Sequence, residues 1–220
     1  MASKIKDFFN SWWFFGLIVV IQATILWFAP NEKTIGNGIK PVYLHVSMTW
    51  AGMIFFFLAG LLGIFTAALG KQRLAIWFRS LYFAAFVLYL SGFLVSMYAS
   101  WLNWGGIPFQ EPRIRNAINV VVVGIAIFTF MELVRNIRLQ GVAGVVPILF
   151  IVFSRGSDRM VLHPDNPVTT APAEIKATFG IMFVVALFLT IWVVGQARKL
   201  YSEKIENPGA TTPLGEMNEL

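Results

Sequence analysis

Of the 220 residues, 57% are hydrophobic and 13% charged, with a mean hydropathy of +0.70. Soluble domains carry about 25% charge, so this composition cannot clothe a water-facing surface; it excludes a disordered tail protein, a nucleic-acid binder and a cytosolic enzyme. There is no cysteine, which removes disulfides, thiolate metal sites, iron–sulfur clusters, thiol catalysis and C-x-x-C-H attachment of a cofactor. The net charge of +6 and pI of about 9.8 come from basic residues at the ends of apolar runs, where loops meet lipid headgroups.

Crossing the hydrocarbon takes about 20 apolar residues in a helix. In chain order the candidate spans are Trp12 to Ala29, Val42 to Leu69, Leu81 to Trp101, Asn116 to Val134, Val142 to Phe153 and Ala177 to Ala197. The fifth is short and contains Pro147; it either extends back to Ile137 or ends inside protein rather than crossing fully. The expected fold is an all-α integral membrane bundle of six transmembrane helices covering residues 1–200, followed by a polar, disordered cytoplasmic tail over 201–220 that contains Pro208, Gly209 and Pro213. Lys4 and Lys6 resemble a basic leader, but the following apolar run is long and no small-residue cleavage site follows, so the first span reads as retained.

Orientation follows from the cations. Ten fall on one side (Lys4, Lys6, Lys71, Arg73, Arg79, Arg135, Arg138, Arg198, Lys199, Lys204) and seven on the other (Lys33, Lys40, Arg113, Arg115, Arg155, Arg159, Lys176). This bias places both termini in the cytoplasm and makes 30–41, 102–115 and 154–176 the outer loops. Longer, irregular outer loops are where function is expected.

Ala59, Gly63 and Ala67 recur every four residues, as do Gly92, Ser96 and Ser100; such stripes let helices approach closely. Gln22, Asn116 and Asn119 read as interhelical hydrogen-bonding groups, and Glu132 can pair with Arg135 at i+3. The Gly36-Asn37-Gly38 turn is no nucleotide fingerprint, since no strand and helix flank it.

The two histidines carry the chemistry. His45 lies at the outer mouth of the second span and His163 in the outer loop before the sixth, on the same side of the membrane. Two imidazoles from separate segments suit the two axial positions of haem iron. Trp27, Phe28, Tyr43, Trp50, Trp101, Trp104 and Phe109 offer apolar walls at that end, although tryptophans are also common as an interfacial belt. Arg113, Arg115, Arg155 and Arg159 suit propionates through their bidentate fork. Zinc on the two histidines with Asp165 or Glu111 is the alternative, but no H-x-x-x-H or H-E-x-x-H spacing exists. Met48 and Met160 stand three residues from a histidine and read either as competing ligands or as core filler.

The segment Tyr43-Leu-His45-Val-Ser-Met-Thr-Trp50 resembles the first-histidine motif of the CcmC/CcsA haem-handling family of cytochrome c biogenesis, and Leu162-His163-Pro-Asp-Asn-Pro167 resembles the second-histidine loop of its CcmC-like members. The resemblance extends to about residue 198. Between the histidines the family carries a tryptophan-rich loop, W-G-x-W-W-x-x-D followed by a basic residue. Here Trp104 and Gly105 match, Glu111 stands for the aspartate and Arg113 for the basic residue, while Ile107 and Pro108 replace the central tryptophan pair.

The resemblance implies a non-enzymatic, multi-pass protein of the inner (cytoplasmic) membrane. It would hold haem b at the periplasmic face between His45 and His163, with Trp50, Trp104, Gly105, Glu111, Arg113 and Arg115 completing the site, and pass it to a haem chaperone or other membrane subunit. The altered tryptophan loop keeps a second expectation open, a b-type cytochrome subunit that retains its haem for electron transfer in a respiratory complex. A haem-free structural anchor is the third. Lipids are expected partners and nucleic acid is not.

Overall fold

The structure, a computed structural model, describes residues 7–153 and 171–206, with side chains as far as residue 204. Among these residues it is all-helical, with a single isolated bridge between Glu32 and Gly36. The helices are α1 (Trp12–Phe28), α2 (Ile39–Leu69), α3 (Gln72–Trp104), α4 (Pro112–Leu133), α5 (Ile137–Ala143), α6 (Val146–Phe153) and α7 (Ala173–Glu206). Four of them, α2, α3, α4 and α7, are long and apolar enough to cross a membrane. The predicted first and fifth spans are apolar but shorter; the 17 residues of α1 reach about 26 Å at 1.5 Å each, against a hydrocarbon core of about 30 Å.

The predicted fifth span does begin at Ile137, but as two helices. Asn136 caps α5, its side-chain oxygen accepting from the amides of Arg138 and Leu139. The break follows at Gly144 and Val145, and Pro147 then lacks the N–H that would have continued the ladder back to Ala143. Elsewhere the helices outrun the apolar segments: α3 begins at Gln72 rather than Leu81, and α7 runs to Glu206, past residue 201. An apolar run measures what lipid would cover, whereas helix ends are set by stop signals and end contacts. Gly70 and Gly105, both at positive φ, cap α2 and α3, with their amides donating 2.9 Å bonds to Thr66 and Trp101 carbonyls.

The α2–α3 hairpin is the centre of the bundle. The long α7 packs on both of its helices, α1 on α7, and α5 and α6 lie along α2, with α4 against α6. Small residues set these approaches. A Cβ on Gly92 would stand 2.5 Å from Thr49 Oγ1 and 2.9 Å from the Thr49 amide, and one on Gly63 2.7 Å from the Gly141 carbonyl. The two stripes therefore serve different seams: Gly63 and Ala67 face α5, and Gly92 faces α2. Phe56, Phe78 and Tyr82 are fully buried in the main core, where the Tyr82 hydroxyl donates to the Gly124 carbonyl at 3.1 Å. Large apolar side chains remain on the outside, among them Leu61, Phe65, Val122 and Ile191. Such a surface suits lipid.

Two polar expectations are corrected. Glu132 pairs with Arg79 of α3 and with Lys204 of α7 at 2.8 Å. It does not use Arg135, because α4 stops at Leu133 and the extended Val134 (φ −91°, ψ 115°) takes Arg135 off the helix. Gln22 is buried, but its Nε2 has no hydrogen-bond partner among the described residues.

Candidate functional site

His45 sits in the second turn of α2, on the face turned to α3. Its Nδ1 lies 2.9 Å from the Gly92 carbonyl oxygen and 3.3 Å from Thr49 Oγ1. A carbonyl only accepts, so Nδ1 carries a proton, and in the neutral ring the lone pair is then on Nε2. The contact exists because Gly92 has no side chain: a methyl there would strike Thr49 and approach the His45 carbonyl to 3.2 Å. The ring is half-buried in the α2–α3 seam. A backbone carbonyl that fixes the tautomer and plane of an imidazole is the usual support of a histidine that ligates metal through its other nitrogen.

The surrounding end of the bundle is tied by side chains donating to carbonyls. Asn103 Nδ2 reaches Gly38 O at 3.0 Å and Ala99 O at 2.9 Å, Lys40 Nζ reaches Trp27 O at 3.1 Å, and the Tyr43 hydroxyl reaches Pro30 O at 3.1 Å. Tyr43, expected as a wall, is instead fully buried core, edge-on to Phe179 with centroids 4.6 Å apart. Trp27, Phe28, Trp101 and Phe109 point outward and are mostly exposed, an interfacial rim rather than a closed wall. Met48 packs beside Ile18, Leu88 and Leu189, which supports its reading as filler.

The other predicted site residues divide into two groups. Trp50 is five residues beyond His45, about 140° around the helix, and its indole meets Phe183 of α7 at 6.4 Å; it does not join His45. Trp104, Gly105, Glu111, Arg113 and Arg115 form one contiguous rim, running from the end of α3 into the first turn of α4. Gly105 is accounted for by helix termination. Glu111 is 3% exposed and occupies the N-cap position of α4. Arg113 is half-buried and Arg115 exposed. Trp104 is twelve residues beyond Gly92 on α3, roughly 18 Å along the axis, so this rim stands well outside the level of the imidazole.

His163 lies outside the described residues, as do Arg155, Arg159, Met160 and Asp165. Among the described residues no group of three or more histidine, aspartate or glutamate side chains could hold a metal ion. The support of His45 is what sequence reading missed. Thr49, one turn on, was legible by spacing, but nothing in the sequence pairs His45 with a carbonyl 47 residues away; the Gly92 stripe signalled only close packing. The chain matches no protein-family model and no curated protein.

Proposed function

We propose that this chain is a membrane haem-binding protein of the cytochrome c biogenesis type, holding haem b between His45 and His163 for delivery to a maturation partner. The observation that carries the reading is the 2.9 Å contact of His45 Nδ1 with the Gly92 carbonyl, which in the neutral ring puts the lone pair on Nε2. Bound haem would supply an iron centre, with His45 and His163 as the side chains that would hold it. The chain's own part is to present His45 in one tautomer, to keep the ring in an apolar seam, and to offer Arg113 and Arg115 at the rim to carboxylates. The matching Trp104 and Gly105, with Glu111 and Arg113 after them, support an outer surface for hand-over.

Absorption spectra of the purified protein, oxidised and dithionite-reduced, test this reading. A Soret band that shifts or disappears in both His45→Ala and His163→Ala is expected; no band as purified and none after added haem would end it. The b-type cytochrome remains the second reading because Ile107 and Pro108 take the place of the family's central tryptophans. A reversible haem potential with haem that resists transfer to an apo-acceptor favours that reading, and rapid loss to the acceptor favours delivery.

A further inference from the structure

We propose a second binding site, at the end of the bundle opposite His45, for a glycerophospholipid headgroup that carries a hydrogen-bond donor beyond its phosphate. A cleft of about 140 Å³ opens there between the start of α3, α5 and the end of α7, lined by Ala75, Ile76, Arg79, Gln140, Tyr201 and Lys204. One water needs roughly 15 Å³ on the same measure, so a phosphate group has room.

The charge at this end is suited to an anion. Residues 7–16, 70–80, 131–140 and 197–204 hold eight basic side chains (Lys71, Arg73, Arg79, Arg135, Arg138, Arg198, Lys199, Lys204) against three acidic ones (Asp7, Glu132, Glu203). Glu132 engages both Arg79 and Lys204, which leaves these three groups with one net positive charge. Arg79 is held over the Tyr201 ring, 4.5 Å from its centroid, yet its buried Nε–H has no hydrogen-bond partner among the described residues. Gln140, 3% exposed, spends its Nε2 on the Met131 and Val134 carbonyls at 3.0 and 2.5 Å, and its Oε1 has no partner among the described residues.

Arg79 and Gln140 both line the cleft, and a donor on one and an acceptor on the other without a partner among the described residues suit a ligand with both functions. Phosphate oxygens suit Arg79 Nε–H and Lys204 Nζ, and a hydroxyl or ammonium suits Gln140 Oε1. Both atoms are buried, so seating the ligand requires the Arg79 and Gln140 side chains to turn toward the cleft, Gln140 about its soft terminal torsion. Ala75 and Ile76 give the first acyl carbons an apolar wall, which favours a lipid over free phosphate. Basic pockets between helices at headgroup level bind such lipids. The inference rests on these helices lying in a membrane and is independent of haem.

The test is thermal unfolding of the full chain in neutral detergent with added short-chain phosphatidylglycerol, phosphatidylcholine or inorganic phosphate. Phosphatidylglycerol, which has free hydroxyls, is expected to raise Tm saturably. Phosphatidylcholine, whose headgroup has no donor, and inorganic phosphate are expected to raise it far less. Gln140→Leu and Lys204→Gln should each weaken the phosphatidylglycerol response at least fivefold in apparent affinity, while Lys33→Gln, at the other end, should leave it intact. Equal responses to the two lipids, or a phosphatidylglycerol response that survives both substitutions, overturns the site. A full response to inorganic phosphate alone overturns the lipid as its occupant. Should Gln140→Leu fail to fold by circular dichroism, the half-exposed Lys204 variant decides.

Discussion

At the His45 end the helices are tied by side chains that donate to backbone carbonyls, from Lys40, Tyr43, His45 and Asn103, whereas the opposite end adds to such ties, from Arg138, Gln140 and Gln196, a carboxylate, Glu132, that gathers two cations from two other helices. Arg79 and Arg198 there also lie over the Tyr201 and Trp77 rings. Carbonyl ties are short, directional and insensitive to salt, and they fix a ring's orientation. Ion pairs and cation–π contacts act over longer range and yield to ionic strength when partly exposed. Charge pairing among the described residues is what sets the second end apart from the first.

The largest expected effect separates the two ends outright. His45→Ala should abolish or shift the haem absorption bands, whereas Glu132→Gln should leave them unchanged, as read by difference spectra; bands lost in both would erase the distinction. Next, Gly92→Ala forces a methyl against Thr49 and should destabilise the α2–α3 seam by about 1–3 kcal/mol. It should also broaden or shift the haem bands, since the carbonyl that holds His45 must move; denaturation and spectroscopy on the same sample check both. Glu132→Gln should cost roughly 1–2 kcal/mol. That loss should shrink in high salt, while the Gly92→Ala loss should not, and melting at two ionic strengths resolves the pair.

Arg113→Ala is expected to speed haem loss to an acceptor severalfold while leaving the axial bands in place; an unchanged rate removes Arg113 from the site. The smallest effect lies in the 30–38 loop. Glu32 accepts from the amides of Ile35 (2.9 Å) and Thr34 (2.6 Å), and these bonds, the Ile35 one foremost, hold its carboxyl below the usual range. A lowered folded-state pKa contributes order above the unfolded value and loses it as pH falls through the folded one. The Thr34 and Ile35 amide resonances should therefore move together only at pH below the ordinary carboxylate range.

The helical class, the α2–α3 hairpin and the membrane-spanning length of four helices were legible because apolar run length and glycine stops are local signals. The first helix was read to within a residue at its end, Ala29 against Phe28. The break in the fifth apolar segment was less so: Pro147 marked it, but the two-helix form also needed Asn136 as a cap and Gly144 at the turn. Pairings between helices were the least legible. Glu132 found partners 53 and 72 residues away because the helix end removed its local one, and the Gly92 seat of His45 is likewise a product of the hairpin's register. Trp50, which the motif groups with His45, lies about 140° around α2 from it and meets Phe183 of α7, a separation that the motif alone does not convey.

The Gly63–Gly141 approach carries a consequence for how this chain tolerates change. Each glycine meets the other's main-chain carbonyl, and a carbonyl cannot be swapped for something smaller. Enlarging either position therefore has no remedy by trimming the opposite residue. The two sites should behave as a locked pair, in which substituting both is little worse than substituting one, since the first methyl already parts the two helices of the seam.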